Sequence, residues 1–199
     1  MQKNNSIVSF ETDELILVDK EDQVLGYQSK ELCHDGEGIL HRAFSVFLFN
    51  EAGELLMQQR GETKRLWPMV WSNSCCSHPR RNESMTHAAC RRTEEELSIT
   101  MSNPLHYLFK FTYQARYGDA GSEHELCSVF VGFINFDTVY PNETEVNDWR
   151  FVDVKTLDEE LLREPEHFTP WMKLEWQRLR SEYWQQIEQY RQQSVGQVA

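Results

Sequence analysis

Segments with strand character and segments with helix character alternate along most of this chain. Residues 42–50 and 125–135 are apolar and rich in aromatic or β-branched side chains, which predicts two strands. Between them, residues 83–97 place apolar side chains on one helical face and charged side chains elsewhere, which predicts an amphipathic helix. Aromatic residues recur at every second position over 107–114, which predicts a further strand.

Shorter signals complete this pattern. Residues 51–53 are predicted to form a turn that joins the strand at 42–50 to a strand at 54–60, as in a hairpin. Three shorter elements are also predicted, namely strands at 69–73 and 149–152 and a helix at 157–162. Together these elements predict one mixed α/β (α+β) domain over residues 1–199, in which a sheet lies between helices.

The last third of the chain contains the clearest helix start. Thr169 is placed to cap a helix whose first residue is Pro170, a position where the missing N–H costs nothing. Apolar residues then form a stripe at spacings of three and four, at Met172, Trp176, Leu179, Tyr183, Ile187 and Tyr190. We expect this stripe to pack on its own domain rather than to form a dimer seam, which favours a monomer over a homodimer. Residues 1–6 and about 193–199 are polar and are predicted to be mobile tails.

The formal net charge of the chain is −12, so its overall field repels phosphate. This charge argues against a nucleic-acid partner and against binding to an anionic membrane. A small phosphorylated ligand is still compatible with it, provided that cations are concentrated locally or that metal ions intervene.

The sequence also limits the expected compartment and the chemistry of the cysteines. No apolar run approaches the roughly 20 residues that a transmembrane helix needs, and the N-terminal segment lacks the apolar core of a signal peptide. We therefore expect a cytoplasmic protein. Its five cysteines are irregularly spaced and include no CxxC pair, so reduced thiols are expected rather than disulfides or a cysteine-rich zinc site.

The segment WPMVWSNSCCSHP at 67–79 is unusual for a plain strand. It places Cys76 two residues before His78, in a stretch dense with tryptophan and proline. A single cysteine is more often a small buried apolar side chain than a catalyst. The segment alone therefore leaves both interpretations open.

A second group of residues has the chemistry of metal ligands. Glu123 and Glu125 point to the same side of an extended chain, where they either lie in solvent or share a cation. With His34, His41 and His78 they would form a mixed nitrogen and oxygen ligand set of the kind that suits Mn, Fe or Zn. The spacing along the chain does not by itself bring these five residues together.

The helix predicted at 83–97 carries a degenerate form of a known motif. Six residues match the spacing of the Nudix box, G-x5-E-x7-R-E-U-x-E-E-x-G-U, at Ser77, Glu83, Arg91, Glu95, Glu96 and Ile99. In that motif, glutamates one helical turn apart bind the metal that holds a diphosphate. Arg92 replaces the first glutamate of the core, which removes a carboxylate needed for pyrophosphohydrolysis and supplies a cation for a diphosphate instead.

Taken together, the motifs from about residue 15 to about residue 179 resemble type I isopentenyl-diphosphate isomerase, a branch of the Nudix fold. The resemblance depends on their shared order and spacing: Lys30, His34, HRAFS at 41–45, QR at 59–60, Lys64, WP at 67–68, WSNSCCSHP at 71–79, RR at 91–92, EEL at 95–97, Tyr113, EHELC at 123–127 and TPW at 169–171. It implies a Nudix-like sandwich of mixed β-sheet between α-helices, with an extended C-terminal helix. It also implies interconversion of isopentenyl diphosphate and dimethylallyl diphosphate.

The resemblance implies a role for each matching residue. Cys76 matches the catalytic cysteine, Glu125 the catalytic glutamate, and Tyr113 the tyrosine that hydrogen-bonds this glutamate. Trp171 matches the aromatic residue that faces the reacting carbons. The residues that match the diphosphate-binding cations are Lys30, Arg60, Lys64 and Arg92.

Two metal sites are implied in the same way. His34, His41, His78, Glu123 and Glu125 resemble the ligands of a site that would hold Mn²⁺ or Zn²⁺. Glu96 resembles the residue that, with the backbone carbonyl of Cys76, holds Mg²⁺ on the substrate diphosphate.

Two other functions compete with the isomerase hypothesis. A Nudix pyrophosphohydrolase of a nucleotide diphosphate is disfavoured by the arginine at position 92 and would not need Cys76 or the histidines. A catalytically inactive Nudix-like binding module would be favoured by loss of Cys76 or Glu125, and both residues are present.

Overall fold

The computed structural model describes residues 5–135 and 139–195. Over these residues the chain forms one nine-stranded mixed sheet, with strands β1 (Glu14–Val18), β2 (Val24–Ser29), β3 (His41–Phe49), β4 (Leu55–Arg60), β5 (Trp71–Ser72), β6 (Cys75–Ser77), β7 (His106–Tyr117), β8 (Gly121–Phe133) and β9 (Val146–Val152). The helices are α1 (Lys30–Cys33), α2 (Met85–Leu97), α3 (Val154–Arg163), α4 (Pro170–Arg178) and α5 (Trp184–Val195), with a 3₁₀ turn at Pro165–His167 and a π-helical turn at Leu179–Tyr183.

The centre of the sheet is the parallel pair β3 and β8. They are in register over nine residue pairs, from His41 opposite Glu125 to Phe49 opposite Phe133. Almost every residue of both strands is buried, as expected for parallel strands that are covered on both faces. On its other edge β3 pairs antiparallel with β1, β6 and β4, while β8 pairs antiparallel with β7.

The two faces of this sheet carry separate cores. Side chains of β3 alternate between them, so that Phe47 lies in the core under α4 and α5, whereas Val46 lies in the core under α2. The predicted sandwich of mixed sheet between helices is therefore confirmed.

Helix α2 has defined signals at both ends. The Ser84 hydroxyl caps it by accepting a hydrogen bond from the backbone N–H of His87. At the other end Ser98 adopts the left-handed conformation (φ 56°), a position that glycine usually occupies. The Ser98 hydroxyl donates to the carbonyl of Tyr140, a contact that glycine could not make.

The C-terminal helical segment begins and packs as predicted, with one correction. Thr169 occupies the N-cap position before Pro170, but its hydroxyl forms a hydrogen bond with Ser72 Oγ (3.0 Å) and does not cap the helix. The apolar stripe of this segment packs into the core that covers β3, β7 and β8. The stripe does so across the π-helical turn, so that the segment is a succession of α4, the turn and α5 rather than one regular helix.

Among the strands and α-helices, four were not predicted from the sequence, namely β1, β2, α1 and β6. Strand β2 is exposed or half-buried throughout and pairs only with β1, so it has no strong apolar period to detect. Of the predicted tails, residues 1–4 and 196–199 lie outside the described residues. Within the described part, the carbonyl of Ser6 accepts a hydrogen bond from Asn142, and α5 extends to Val195.

The described residues contain no helix that is both long enough and apolar enough to cross a membrane.

The packing of the C-terminal segment can be tested with two leucines. Leu179 is fully buried, whereas Leu174 is 45% exposed. We expect Leu179→Ala to lower the free energy of unfolding by about 2–5 kcal/mol, because it leaves a cavity in the core. The matched control Leu174→Ala should change it by less than about 0.5 kcal/mol. Urea denaturation of both variants measures this difference, and equal effects would contradict the assigned packing.

Candidate active site

Three histidines and two glutamates converge at one end of the parallel strand pair. His34 follows α1, His78 follows β6, and His41 begins β3 opposite Glu125 of β8. Glu123 precedes Glu125 by two residues in β8, and both side chains reach the same cluster, as predicted. One ligand atom from each of these residues lies within 4.8 Å of all the others.

The geometry of this cluster fits a metal ion. His78 Nε2 lies 3.1 Å from Glu125 Oε1 and 3.2 Å from His41 Nε2. His41 Nδ1 lies 2.7 Å from the carbonyl oxygen of Ile39, which can only accept, so the proton of a neutral His41 is on Nδ1. This contact leaves the Nε2 lone pair directed into the cluster, as an outer-shell partner does for a metal-binding imidazole.

The contact between His34 and Glu123 also fits a metal ion in this cluster. Their nearest atoms, His34 Nε2 and Glu123 Oε2, are 3.0 Å apart, yet both are buried and neither makes a hydrogen bond. Two buried polar atoms that approach without bonding are expected when both are directed at a third centre.

Burial and mutual attraction set the charges in the cluster. Burial lowers the pKa of His41 to about 3, helped by repulsion from His78, so the His41 imidazole is neutral. Burial would also lower the pKa of His34, but attraction to Glu123 outweighs it and raises this pKa. Burial together with repulsion from Glu123 raises the pKa of the Glu125 carboxyl.

Cys76 and Glu125 reach the same cavity from opposite edges of β3. Cys76 belongs to β6, which pairs with one edge of β3, and Glu125 belongs to β8, which pairs with the other edge. Both line a cavity of about 540 Å³. Burial raises the pKa of the Cys76 thiol well above its usual range, with repulsion from Glu175 acting in the same direction, so the sulfur carries its proton.

Each of these two side chains is held by a neighbour. The Cys76 thiol donates to Asn73 Oδ1 at 2.9 Å. Tyr113 donates its hydroxyl proton to Glu125 Oε2 at 2.7 Å, and burial raises the pKa of this phenol further. Tyr113 also lines the cavity.

The four predicted cations lie on the wall of the same cavity, at Lys30, Arg60, Lys64 and Arg92. Trp171 is on this wall as well, almost fully buried, with its indole N–H donating to Ser72 Oγ. The guanidinium carbon of Arg60 lies 5.2 Å from the centre of the Trp171 ring. The cavity therefore combines a cationic region with an aromatic wall next to Cys76, Glu125 and the histidine and glutamate cluster.

Glu96 lies behind this wall rather than on it. Its Oε1 accepts from Arg92 Nη2 at 2.5 Å, and its Oε2 accepts from Gln58 Nε2 at 3.3 Å. Glu96 is not among the described residues that line the cavity, but its partner Arg92 is. The structure thus places Glu96 beside a predicted cation and away from the open volume.

Glu145 is a site residue that the sequence reasoning missed. Its carboxylate contacts Lys64 and lies 3.2 Å from Arg92 Nη2, and it lines the cavity. Burial would raise the pKa of this carboxyl, but Lys64 and Arg92 hold it below its usual range. It precedes β9 in a polar stretch, NETEVND at 142–148, which offers no motif that would single it out.

Comparison with known proteins agrees with this geometry. A NUDIX domain model matches residues 39–172. Isopentenyl-diphosphate Delta-isomerase 1 of Photorhabdus laumondii is 43% identical over 164 residues, which cover 82% of this chain and 93% of that protein. Isopentenyl-diphosphate Delta-isomerase of Serratia proteamaculans is 43% identical over 157 residues, which cover 79% of this chain and 86% of that protein.

Solved structures bear on the fold alone. The crystal structure of a protein from Deinococcus radiodurans superposes with a TM-score of 0.63 at 19% identity and covers 76% of this chain and 90% of that one. The MutT protein of Methanosarcina mazei gives a TM-score of 0.56, also at 19% identity, covering 72% of this chain and 94% of that one.

The metal-type cluster leads to a prediction about protons. His34 has a raised pKa and so keeps its proton to higher pH in the metal-free protein, and this proton must leave before Nε2 can bind a metal. We expect Mn²⁺ or Zn²⁺ binding near neutral pH to release protons and to strengthen as the pH rises. Calorimetric titration in buffers of different ionisation enthalpy measures the number released.

Two histidine variants complete this test. His41→Ala should weaken metal binding by at least about 100-fold, the upper end of the loss expected for an outer-shell partner. His87→Ala is the matched control, because His87 is exposed on α2. Equal affinities in the two variants would show that the cluster is not the metal site.

Proposed function

The chain belongs to the isopentenyl-diphosphate Delta-isomerases of the NUDIX family, and from this premise we propose that Cys76 and Glu125 form its acid–base pair. Isomerases of this kind interconvert isopentenyl diphosphate and dimethylallyl diphosphate by moving a carbon–carbon double bond. The observation that carries the proposal is that a protonated thiol and a carboxyl reach one cavity from opposite edges of β3.

The chemistry requires such a pair. An alkene is a very weak base, and its protonation at one carbon creates a tertiary carbocation. A second group must then remove a proton from the other end of the allylic unit, and the two groups exchange roles in the reverse direction. The Cys76 thiol holds a transferable proton, and the Glu125 carboxylate can accept one.

Metal ions enter through two groups of residues. Enzymes of this family depend on divalent metals, and the cluster of three histidines with Glu123 and Glu125 could hold one. A Mn²⁺ or Zn²⁺ ion bound there would lower the pKa of the Glu125 carboxyl and fix its orientation. Mg²⁺ on the diphosphate would be held by Glu96 and the backbone carbonyl of Cys76, for which Glu96 would exchange its contact with Arg92.

The cationic region of the cavity suits the diphosphate. Lys64 and Arg92 already share the carboxylate of Glu145, which keeps two buried cations close together without a substrate. Lys30 and Arg60 add two further cations on the same wall. An acidic chain can thus bind a dianionic group, because its local charge differs from its net charge.

The aromatic wall suits the carbocation. The guanidinium of Arg60 lies over the Trp171 ring, which illustrates that this ring can face a positive charge. The Tyr113 ring lies 6.2 Å from the Trp171 ring, on the side of Glu125. Aromatic walls also exclude water, which would otherwise trap the cation as an alcohol.

The acid–base pair gives the first functional prediction. Purified protein with isopentenyl diphosphate and Mg²⁺ in D₂O should form deuterated dimethylallyl diphosphate, followed by NMR. Cys76→Ala and Glu125→Gln should each lower kcat by at least about 100-fold, the loss expected for a positioned acid or base.

Cys90→Ala is the matched control for these variants. Cys90 is a half-buried cysteine on α2, so its replacement should leave the rate close to that of the unmodified protein. If the metal-loaded protein failed to isomerise the substrate and instead hydrolysed nucleotide diphosphates, the isomerase assignment would be wrong.

Trp171 gives a second prediction. Both Trp171→Phe and Trp171→Leu lose the hydrogen bond to Ser72, but only phenylalanine keeps an aromatic face. A desolvated cation–π contact is worth about 2 kcal/mol, so kcat of the leucine variant should be roughly 30-fold below that of the phenylalanine variant. Steady-state kinetics measure this ratio, and equal kcat values would remove Trp171 from the reaction.

A further inference from the structure

A chain of polar side chains leads from Cys76 away from the cavity and into the core. Cys76 Sγ lies 3.3 Å from Ser45 Oγ, and Ser45 Oγ lies 3.5 Å from Cys127 Sγ. Cys127 Sγ in turn lies 3.4 Å from Glu175 Oε1. These residues come from β6, β3, β8 and α4, so packing of the whole sandwich is needed to assemble them.

Glu175 is an unusual residue for this position. It is fully buried under the face of the sheet that α4 covers, and its Oε2 has no hydrogen-bond partner among the described residues. Burial raises the pKa of this carboxyl to about 8, whereas the neighbouring Ser45 and Cys127 side chains act in the opposite direction. The carboxyl is therefore protonated near neutral pH.

Stability alone does not account for a carboxyl here. A buried polar atom without a partner costs about 1–3 kcal/mol, so an apolar side chain would stabilise this part of the core better. A glutamine could make the same contact with Cys127 as a protonated glutamate. What the glutamate adds is a proton that can leave.

The direction of the hydrogen bonds is fixed by Asn73. Its Nδ2 donates to the carbonyls of Val46 and Cys75, both at 3.1 Å, so its Oδ1 faces Cys76 and accepts the thiol proton. With its proton so directed, Cys76 Sγ can accept the hydroxyl proton of Ser45. The oxygen of Ser45 is then free to accept from Cys127 Sγ, which can itself accept from a protonated Glu175, and the chain runs from Glu175 through Cys127 and Ser45 to Cys76.

We propose that Glu175 is a positioning residue for the isomerase reaction, which holds a proton that reaches Cys76 Sγ through the Cys127 thiol and the Ser45 hydroxyl. This inference rests on the proposed function, because it requires Cys76 to give up its proton to the substrate. It extends the acid from a single thiol to a relay that ends in a buried carboxyl.

The proton transfers balance along this relay. As the Cys76 S–H bond breaks and a C–H bond forms on the substrate, the Ser45 O–H bond breaks and a new S–H bond forms. The Cys127 S–H bond breaks and restores the hydroxyl of Ser45, and the Glu175 O–H bond breaks and restores the thiol of Cys127. Negative charge then resides on the Glu175 carboxylate instead of the Cys76 thiolate, and every transfer is reversed in the opposite direction. After product release, the proton held by Glu125 passes to solvent and Glu175 regains one through the same path.

Glu175→Gln tests the relay with little change in shape. The amide keeps the hydrogen bonds but has no transferable proton, so we expect kcat to fall at least about tenfold. KM for isopentenyl diphosphate should stay within about twofold, because the substrate does not touch Glu175. Glu182→Gln is the matched control, since Glu182 is half-exposed and pairs only with Arg178 in the described structure.

A measurement in mixtures of H₂O and D₂O separates a relay from a structural effect. Several protons move together in the relay, so kcat of the unmodified protein should depend on the deuterium fraction along a curve. In Glu175→Gln and in Ser45→Ala the dependence should become linear, because one proton moves. Ser45→Ala also provides the test if Glu175→Gln does not fold.

The outcomes distinguish this inference from the proposed function. Unchanged kcat in Glu175→Gln, or a linear dependence in the unmodified protein, would overturn the relay and leave the acid–base pair intact. A lower kcat with the curve retained in both variants would reduce Glu175 to a packing role. Failure of the unmodified protein to isomerise the substrate would overturn the proposed function instead.

Discussion

The site depends on the register between β3 and β8. This parallel pairing places His41 opposite Glu125 and Ala43 opposite Cys127. Because side chains alternate along a strand, the cluster residues of these two strands (His41, Glu123 and Glu125) share with Ser45 and Cys127 the face that α4 and α5 cover. A slip of one residue in either strand would move one half of the cluster to the face that α2 covers, and the relay residues with it. The hydrophobic pattern that fixes the core thus also fixes the chemistry.

The fold keeps the acidic and the basic side chains of the site on different elements, although the chain as a whole is acidic. The carboxylates of the histidine cluster lie on β8, whereas the cations lie on α1, at the end of β4, on the loop around Lys64 and on α2. Glu145 and Glu96 pair with Arg92 on that side, so its cations are partly neutralised before any ligand binds. Buried pairs of this kind recover much of the desolvation penalty but add little net stability. These ion pairs keep the cations in position, so that a diphosphate can replace a carboxylate as the partner of a cation.

Local sequence patterns predicted the individual strands and helices, whereas pairings between residues far apart in the chain form the site. Apolar runs sufficed to predict β3 and β8, a period of two sufficed for β7, and a helical period sufficed for α2. The two-residue spacing of Glu123 and Glu125 sufficed to place them on one side. The convergence of the histidines was predicted only from the order of the family motifs. Which residues meet depends on the pairing of strands in the sheet, and the spacing along the chain does not show this pairing. Glu145 and Glu175 were missed for a physical reason. The charge state of each carboxyl depends on partners that are far away in the chain. Thr169 likewise contacts the distant Ser72 and does not make the expected capping hydrogen bond.

Glu125 and Glu175 show how environment divides the labour between two carboxyl groups. Burial raises the pKa of both, yet their neighbours differ. Glu125 lies among imidazoles that could hold a divalent cation, and such an ion would lower the pKa of this carboxyl selectively. The hydrogen-bond partner of Glu175 among the described residues is the Cys127 thiol, so nothing in its described surroundings would remove its proton at neutral pH. Metal binding would therefore separate the pKa values of Glu125 and Glu175. Glu125 would then be a base at one edge of β3, and Glu175 would hold a proton for the Cys76 thiol at the other edge. An enzyme that must protonate an alkene and deprotonate the resulting cation needs that separation before the substrate arrives.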